Sequence, residues 1–291
     1  MRTVYLGTSA FAAAVLERLA ASPHRPALVV TRPDRPRGRG RHPAPPPCAD
    51  AAQRLEIELI APERPEEALD AIAAIGPEAV CVCAYGAILR EPLLSSFPML
   101  NVHPSLLPRW RGAAPIERAI MAGDAETGVS IMHVVSELDA GPIAAQQREP
   151  IAATDTYGTL AARLEQLGAD LLISALERNP QSTPQDHALA TYAEKIAPSD
   201  RVLDGARTAV ELERAVRALA PHIVARTADG LRVHAAAVAD GDSALPAPGK
   251  VAAIDGRLFL GCTDGGLELL RVQPPSGREM DAAAYLRGHP V

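Results

Sequence analysis

Met1-Arg2-Thr3-Val4-Tyr5-Leu6-Gly7-Thr8-Ser9-Ala10-Phe11 opens the chain, and its reading sets the fold. The run at 2–6 is apolar and β-branched. A second such run occupies 26–31, and between them Phe11, Val15, Leu16 and Leu19 recur at helical spacing. Strand, helix and strand in that order predict a βαβ unit and a parallel sheet. The turn from Gly7 to Phe11 has one glycine, so the G-x-G-x-x-G dinucleotide fingerprint is absent here and a nicotinamide-dependent enzyme is disfavoured.

The pattern continues outward. Residues 47–75 read as helix, a short strand near Ile57 to Ile60, and helix again from Pro65. Ala79-Val80-Cys81-Val82-Cys83-Ala84 is a continuous apolar run of the kind buried in parallel sheets. Met99 to His103 reads as a further strand, which Pro104 ends by removing a backbone donor and holding His103 extended. Asn101 and His103, two apart, project from one face at a strand's carboxyl end, where open α/β sheets bind ligands. Pro115 to Met121 is predicted helical, Val129 to Val135 and Ile143 to Pro150 extended, and Thr154-Asp155-Thr156 caps a long helix carrying Leu160, Leu164, Leu167, Leu171 and Leu172. After a further helix with Leu212, Val216 and Leu219, short β runs at 231–238, 249–254, 257–262 and 267–273 predict a second, all-β domain.

Composition limits the possible functions. With 291 residues, 47% apolar and 22% charged, the chain has enough material for two folded domains. No apolar run approaches the ~20 residues of a membrane span, and the N-terminus lacks the features of a signal peptide. Cys48, Cys81, Cys83 and Cys262 have neither disulfide-framework nor zinc spacing, so they are expected as reduced, buried thiols of a cytoplasmic protein without a metal. A net charge of −6 excludes nucleic-acid binding by overall charge. Positive charge is nevertheless concentrated in Arg32-Pro33-Asp34-Arg35-Pro36-Arg37-Gly38-Arg39-Gly40-Arg41, where proline and glycine predict an exposed loop with neither helix nor strand. Phosphate contact and simple solvation are both open for that loop. Tyr85 is open between core aromatic and pocket residue, and Asp139, in Leu138-Asp139-Ala140-Gly141, is ordinary turn chemistry on its own.

The string Asn101-Val102-His103-Pro104-Ser105-Leu106-Leu107-Pro108-Arg109-Trp110-Arg111-Gly112-Ala113-Ala114-Pro115 resembles the signature of the formyltetrahydrofolate-dependent formyltransferases. The resemblance extends over nearly the whole chain and is strongest in 2–150. It implies an α/β, Rossmann-like, mostly parallel sheet in a catalytic domain at 1–180, a connecting segment at 181–205, and a smaller C-terminal β-barrel domain of OB-like type at 206–291. It implies catalytic roles for Asn101, His103 and Asp139, and a folate pocket drawn from Tyr85, Gly86, Ile88, Ser105, Leu106, Leu107 and Pro108. The formyl donor implied is 10-formyltetrahydrofolate. Arg35, Arg37, Arg39 and Arg41 match the insertion with which family members acting on methionyl-initiator-tRNA engage the acceptor arm, so that tRNA is the implied acceptor and a monomer the expected state. A nucleotide-linked amino sugar or another small amine is the alternative acceptor. The chain departs from the family's usual wording at Leu203-Asp204-Gly205, where Ile-Asp-Trp is common, and at Ala220-Pro221-His222-Ile223.

Overall fold

In the computed structural model, residues 1–37, 42–240 and 245–289 are described. In chain order the first elements are Thr3–Gly7 (β1), Ala10–Ala20 (α1), Pro26–Val30 (β2), Arg35–Arg37 (β3), His42–Ala44 (β4), Pro47–Arg54 (α2), Glu58–Ile60 (β5), Leu69–Ile75 (α3) and Ala79–Cys83 (β6). Leu93–Ser96 (α4), Met99–His103 (β7), Arg111–Gly112 (β8), Pro115–Ala122 (α5), Glu126–His133 (β9), Ile143–Pro150 (β10) and Tyr157–Arg178 (α6) follow. The chain divides into two compact units. The first takes Met1–Gly112, Thr127–Pro150 and Ala161–Tyr192; the second takes Ala113–Glu126, Ile151–Leu160 and Ala193–Val291.

The first unit is built on a seven-stranded sheet in the order β10-β9-β7-β6-β1-β2-β5. All five residues of β1 and all five of β6 are buried, as continuous apolar runs require when a sheet is covered on both faces. β1 pairs parallel to both β2 and β6, and β6 pairs parallel to β7, whereas β7 and β9 run antiparallel. The chain leaves β1 toward β2 and returns on its other side as β6, so the strand order reverses between β1 and β6, the kind of point where such sheets open a crevice. The Thr8 hydroxyl donates to the Tyr85 carbonyl at 2.7 Å and ties the two loops that leave these strands. Ser9 caps α1 by accepting from the Ala12 amide, and the expected Phe11, Val15, Leu16 and Leu19 form its buried face. The four cysteines are free and buried; burial pushes the Cys81 and Cys83 thiols up to about 12 and the Cys262 thiol up to about 11.

One expectation is corrected. The arginine segment contains a ladder, with β3 antiparallel to β4 and Pro36 directly opposite Pro43. Residues opposite one another in such a pair alternate between bonded and non-bonded positions. Two residues without an N–H therefore share a non-bonded position, and no ladder bond is lost. Proline content excludes central strands, but it admits this isolated two-stranded ribbon. Arg39 and Arg41 lie outside the described residues.

Tyr192–Ala193 (β11) falls where the chain passes from the first unit to the second, which adds Ala209–Leu219 (α7), Ala225–Arg226 (β12), Arg232–Val238 (β13), Val251–Ile254 (β14), Arg257–Cys262 (β15), Gly265–Gln273 (β16), Met280–Asp281 (β17) and Ala282–Leu286 (α8). Its antiparallel sheet runs β12-β13-β16-β15-β14, with β17 also on β16. Thr208 and Glu211 form a capping box at the start of α7. Leu212, Val216 and Leu219 of α7 join Val233, Leu258, Leu260, Leu267, Leu269 and Val272 of the sheet in one core. Pro115 opens α5 and Gly123, at φ +74°, closes it. His222, in one of the two departures from family wording, stacks on Tyr157 with ring centroids 3.6 Å apart and sets Nε2 3.0 Å from Glu117 Oε1. Among the described residues no helix is long and apolar enough to cross a membrane.

Gly205, the other departure, has a physical reason. A Cβ placed there would stand 2.0 Å from the Gly249 amide nitrogen and 2.6 Å from the Gly261 carbonyl oxygen, so backbone fills the space a side chain would need. Gly205→Ala is expected to destabilise the protein by about 1–3 kcal/mol, the usual cost of overpacking. Thermal melting checks it, and an unchanged midpoint would contradict this packing.

Candidate active site

β7 lies between parallel β6 and antiparallel β9, which places Asn101 opposite Val82 on one side and Met132 on the other, and His103 opposite Ser130. Asn101 is half-buried, and its side-chain amide makes no hydrogen bond among the described residues. His103 is buried at the strand's end, with Nδ1 3.6 Å from Asp139 Oδ2 and Nε2 2.8 Å from the Trp110 carbonyl. The first separation is too long for a hydrogen bond; the second is a hydrogen bond. Both ring nitrogens therefore face oxygens, Nδ1 a carboxylate and Nε2 a backbone carbonyl. Asp139 has φ +47°, a left-handed conformation that aspartate tolerates better than most residues, and its Oδ2 also accepts the Gly112 amide at 2.8 Å.

The turn after β7 is held by few groups. The Ser130 hydroxyl donates to the Ser105 carbonyl at 2.7 Å and accepts from the Leu107 amide at 3.1 Å and from Gln146 Nε2 at 2.8 Å. Gln146 Nε2 also donates to the Leu107 carbonyl at 3.0 Å. The Ser105 hydroxyl donates to the Arg109 carbonyl at 2.6 Å, closing the turn on itself. Farther along, the Trp110 amide donates to Thr191 Oγ1 at 2.9 Å, with Trp110 itself at φ +63°. The structure thus brings Asn101, His103 and Asp139 to one end of the sheet.

The expected folate residues divide into two sets. Leu106 and Pro108 are half-buried, but Ser105 and Leu107 are buried, and the backbone N–H and C=O groups of both are already bonded within the protein. Tyr85 is buried with a hydroxyl that has no hydrogen-bond partner by distance and angle, and burial raises its phenol, with Arg32 nearby acting the other way. Ile88 is 67% exposed, and at Gly86, φ +78°, an added Cβ would meet nothing within 4 Å. Arg35 is exposed and stands 3.9 Å from Glu63, a surface pair of little energetic weight. Ser130 and Gln146, which set the turn's shape, carry no signal in the sequence: each lies in a stretch legible only as strand.

An amide, an imidazole and a carboxylate together at the end of an open α/β sheet, with the nearby serine hydroxyls committed to the backbone, suit transfer of an acyl-type group between two bound partners. The chain belongs to the formyl transferase family, whose formyl transferase domain matches residues 1–176 and whose C-terminal domain matches residues 195–290. It is 44% identical over 301 residues to the methionyl-tRNA formyltransferase of Halorhodospira halophila, spanning 99% of this chain and 96% of that protein. The methionyl-tRNA formyltransferase of Methylobacillus flagellatus is 40% identical over 300 residues, spanning 100% of this chain and 97% of that one. Among solved structures, HypX from Aquifex aeolicus in complex with tetrahydrofolic acid shares the fold at a TM-score of 0.67 and 17% identity, over 98% of this chain and 47% of that one.

Removing the Ser130 hydroxyl leaves the Leu107 amide without its partner. Ser130→Ala is expected to cost about 1–3 kcal/mol of stability, the penalty of a buried unsatisfied donor. Hydrogen exchange should show the Leu107 amide losing protection, and parental exchange there would mean that the turn is held by other groups.

Proposed function

We propose that this protein transfers the formyl group of 10-formyltetrahydrofolate to the amino group of methionyl-initiator-tRNA, giving N-formylmethionyl-tRNA for translation initiation. The observation that carries the chemistry is the uncommitted Asn101 amide beside the His103–Asp139 pair. The full-length identity to methionyl-tRNA formyltransferases carries the choice of acceptor.

The residues are assigned as follows. The acceptor amine attacks the formyl carbon in its neutral form, and negative charge develops on the formyl oxygen. Asn101 donates a hydrogen bond to that oxygen without changing protonation, so the donor is already in place where charge appears. The Nε2–H of His103, held on the Trp110 carbonyl in the structure, is the second donor and is handed to the formyl oxygen when substrate is bound. Asp139 faces Nδ1, supports the imidazolium and takes the proton lost by the attacking amine. Collapse of the tetrahedral intermediate breaks the bond to the tetrahydrofolate nitrogen, which leaves with the proton that Asp139 took from the amine, so the carboxylate is restored. Folate is assigned to Tyr85, Gly86, Ile88, Ser105, Leu106, Leu107 and Pro108, with Ser105 and Leu107 acting by giving the turn its shape; the open space at Gly86 and the exposure of Ile88 support this. Arg35, Arg37, Arg39 and Arg41 are assigned to tRNA phosphates, supported by the ribbon that carries the first two. The second unit's sheet is read as curling into the OB-like barrel, supported by the register shifts in β13, since bulges bend strands. Four buried free thiols support a cytoplasmic location.

Asn101→Ala is expected to lower turnover by about 10²–10³ with folding intact. Activity within a few-fold of the parent would remove Asn101 from the mechanism. Asp139→Asn is expected to slow the reaction by about 10²–10⁴ and to change the pH–rate profile, because His103 loses its anionic neighbour. Steady-state rates across pH test this, and an unchanged profile at full rate would leave Asp139 as a turn residue.

Replacing Arg35, Arg37, Arg39 and Arg41 by alanine together is expected to weaken tRNA binding and leave folate binding unchanged. Every phosphate left without its arginine should reduce the salt slope of tRNA affinity by about 0.7–0.9. Affinities at several salt concentrations measure this; equal slopes would return the segment to solvated surface and reopen the acceptor.

A further inference from the structure

The bulkiest of the fully buried side chains is a charged one. Arg111 is 1% exposed, within the turn that follows His103. Its Nε and Nη2 donate to Gln185 Oε1 at 3.0 and 2.8 Å, and its Nη1 lies 3.5 Å from Glu137 Oε1 and from His187 Nδ1. Gln185, also buried, donates both Nε2 hydrogens to backbone, reaching the Asp139 and Gly141 carbonyls at 2.8 Å each. The amide therefore makes all four hydrogen bonds open to it. A guanidinium buried this deeply is costly unless it is well paired, and an apolar side chain would fill the same space at lower cost.

The backbone that Gln185 holds is the one that aims Asp139. Residue 139 sits at φ +47°, and the chain two residues later is pressed from the other side, since a Cβ at Gly141 would stand 1.8 Å from the His133 carbonyl oxygen. In this conformation Oδ2 meets both the Gly112 amide and His103. We propose that Arg111 and Gln185 are positioning residues for the transfer reaction. Arg111 clamps the Gln185 amide, and the amide locks the Asp139 backbone so that the carboxylate faces His103. This assignment rests on the catalytic reading of Asp139 given above, and it gives a role to an arginine of the signature and to a glutamine 46 residues beyond Asp139.

The test uses the full chain, charged initiator tRNA and 10-formyltetrahydrofolate, with Gln185→Glu, Gln185→Met and Asp139→Asn beside the parent. Gln185→Glu keeps acceptors for Arg111 but sets a carboxylate oxygen against two carbonyls; Gln185→Met removes every bond. Circular dichroism and thermal melting first establish that each variant is folded. Folded Gln185 variants are expected to lose about 10–100-fold in kcat, the order expected when a reacting group is misplaced by about 1 Å, with KM for each substrate nearly unchanged. Their pH–rate profile should move in the same direction as that of Asp139→Asn, which a purely structural role would not produce. Parental kcat and profile in a folded Gln185 variant, with Asp139→Asn impaired, would overturn the positioning role alone. Parental rates in Asp139→Asn as well would overturn the catalytic reading beneath it. If neither Gln185 variant folds, Arg111→Lys keeps the charge and loses the fork, and parental kcat and profile there would overturn the proposal.

Discussion

The site depends on one backbone torsion. With Asp139 at φ +47°, its carboxylate turns back toward the end of β7, where it accepts the Gly112 amide and faces the His103 ring. A residue in the ordinary right-handed or extended region would aim that side chain elsewhere, and His103 would lose one of its two oxygen neighbours. The surroundings are arranged around this demand. β9 and β10 enter and leave the turn on paired strands, Gly141 admits the close approach of the His133 carbonyl, and Gln185 fixes the flanking carbonyls. Aspartate is among the few non-glycine residues that occupy this region readily, so a single residue supplies both the turn and the charge.

Much of the sheet was legible in the sequence because its strands are apolar without interruption. Ala79–Cys83 and Thr3–Gly7 are buried end to end, and such runs have few alternatives beside turn residues. His103 was legible for a different reason: Pro104 stops a strand, and a polar pair two apart just before that stop must share a face. The ribbon at Arg35–Arg37 was not legible, because the rule against proline in strands concerns donors, and the Pro36–Pro43 pairing removes none. The turn's supports were not legible either. Ser130, Gln146 and Gln185 act through side-chain hydrogen bonds to backbone far away in sequence, and nothing in their own neighbourhoods distinguishes them from solvated polar residues. The resemblance to the family located Asp139, which local chemistry alone would have left as one turn acid among many.

Burial separates the signature into parts with different work. Ser105 and Leu107 face inward and give the turn its shape, Leu106 and Pro108 stay partly open, and Arg111 is wholly enclosed. A string of fifteen residues that reads as one motif is therefore three things in space: a strand end carrying Asn101 and His103, a self-bonded turn, and a buried cation. The glycine at 205 teaches the same lesson elsewhere, since its departure from family wording is matched by backbone from Gly249 and Gly261 in the space a side chain would take.

The composition of the second unit has a consequence for synthesis on the ribosome. α5 belongs to that unit and packs against α7, yet the chain emits α5 at 115–122 and α7 only at 209–219. At about 5–20 residues per second, roughly 5–20 s separate the two helices. During that interval Met121 of α5, which in the finished molecule packs against the core that α7 helps to form, has no α7 beside it. The strands of the first sheet have all emerged by residue 150, so that sheet can close while α5 still waits. The nascent chain thus carries α5 without its partner helix between two finished pieces of sheet, a segment suited to transient capture by a holding chaperone until the last third of the protein arrives.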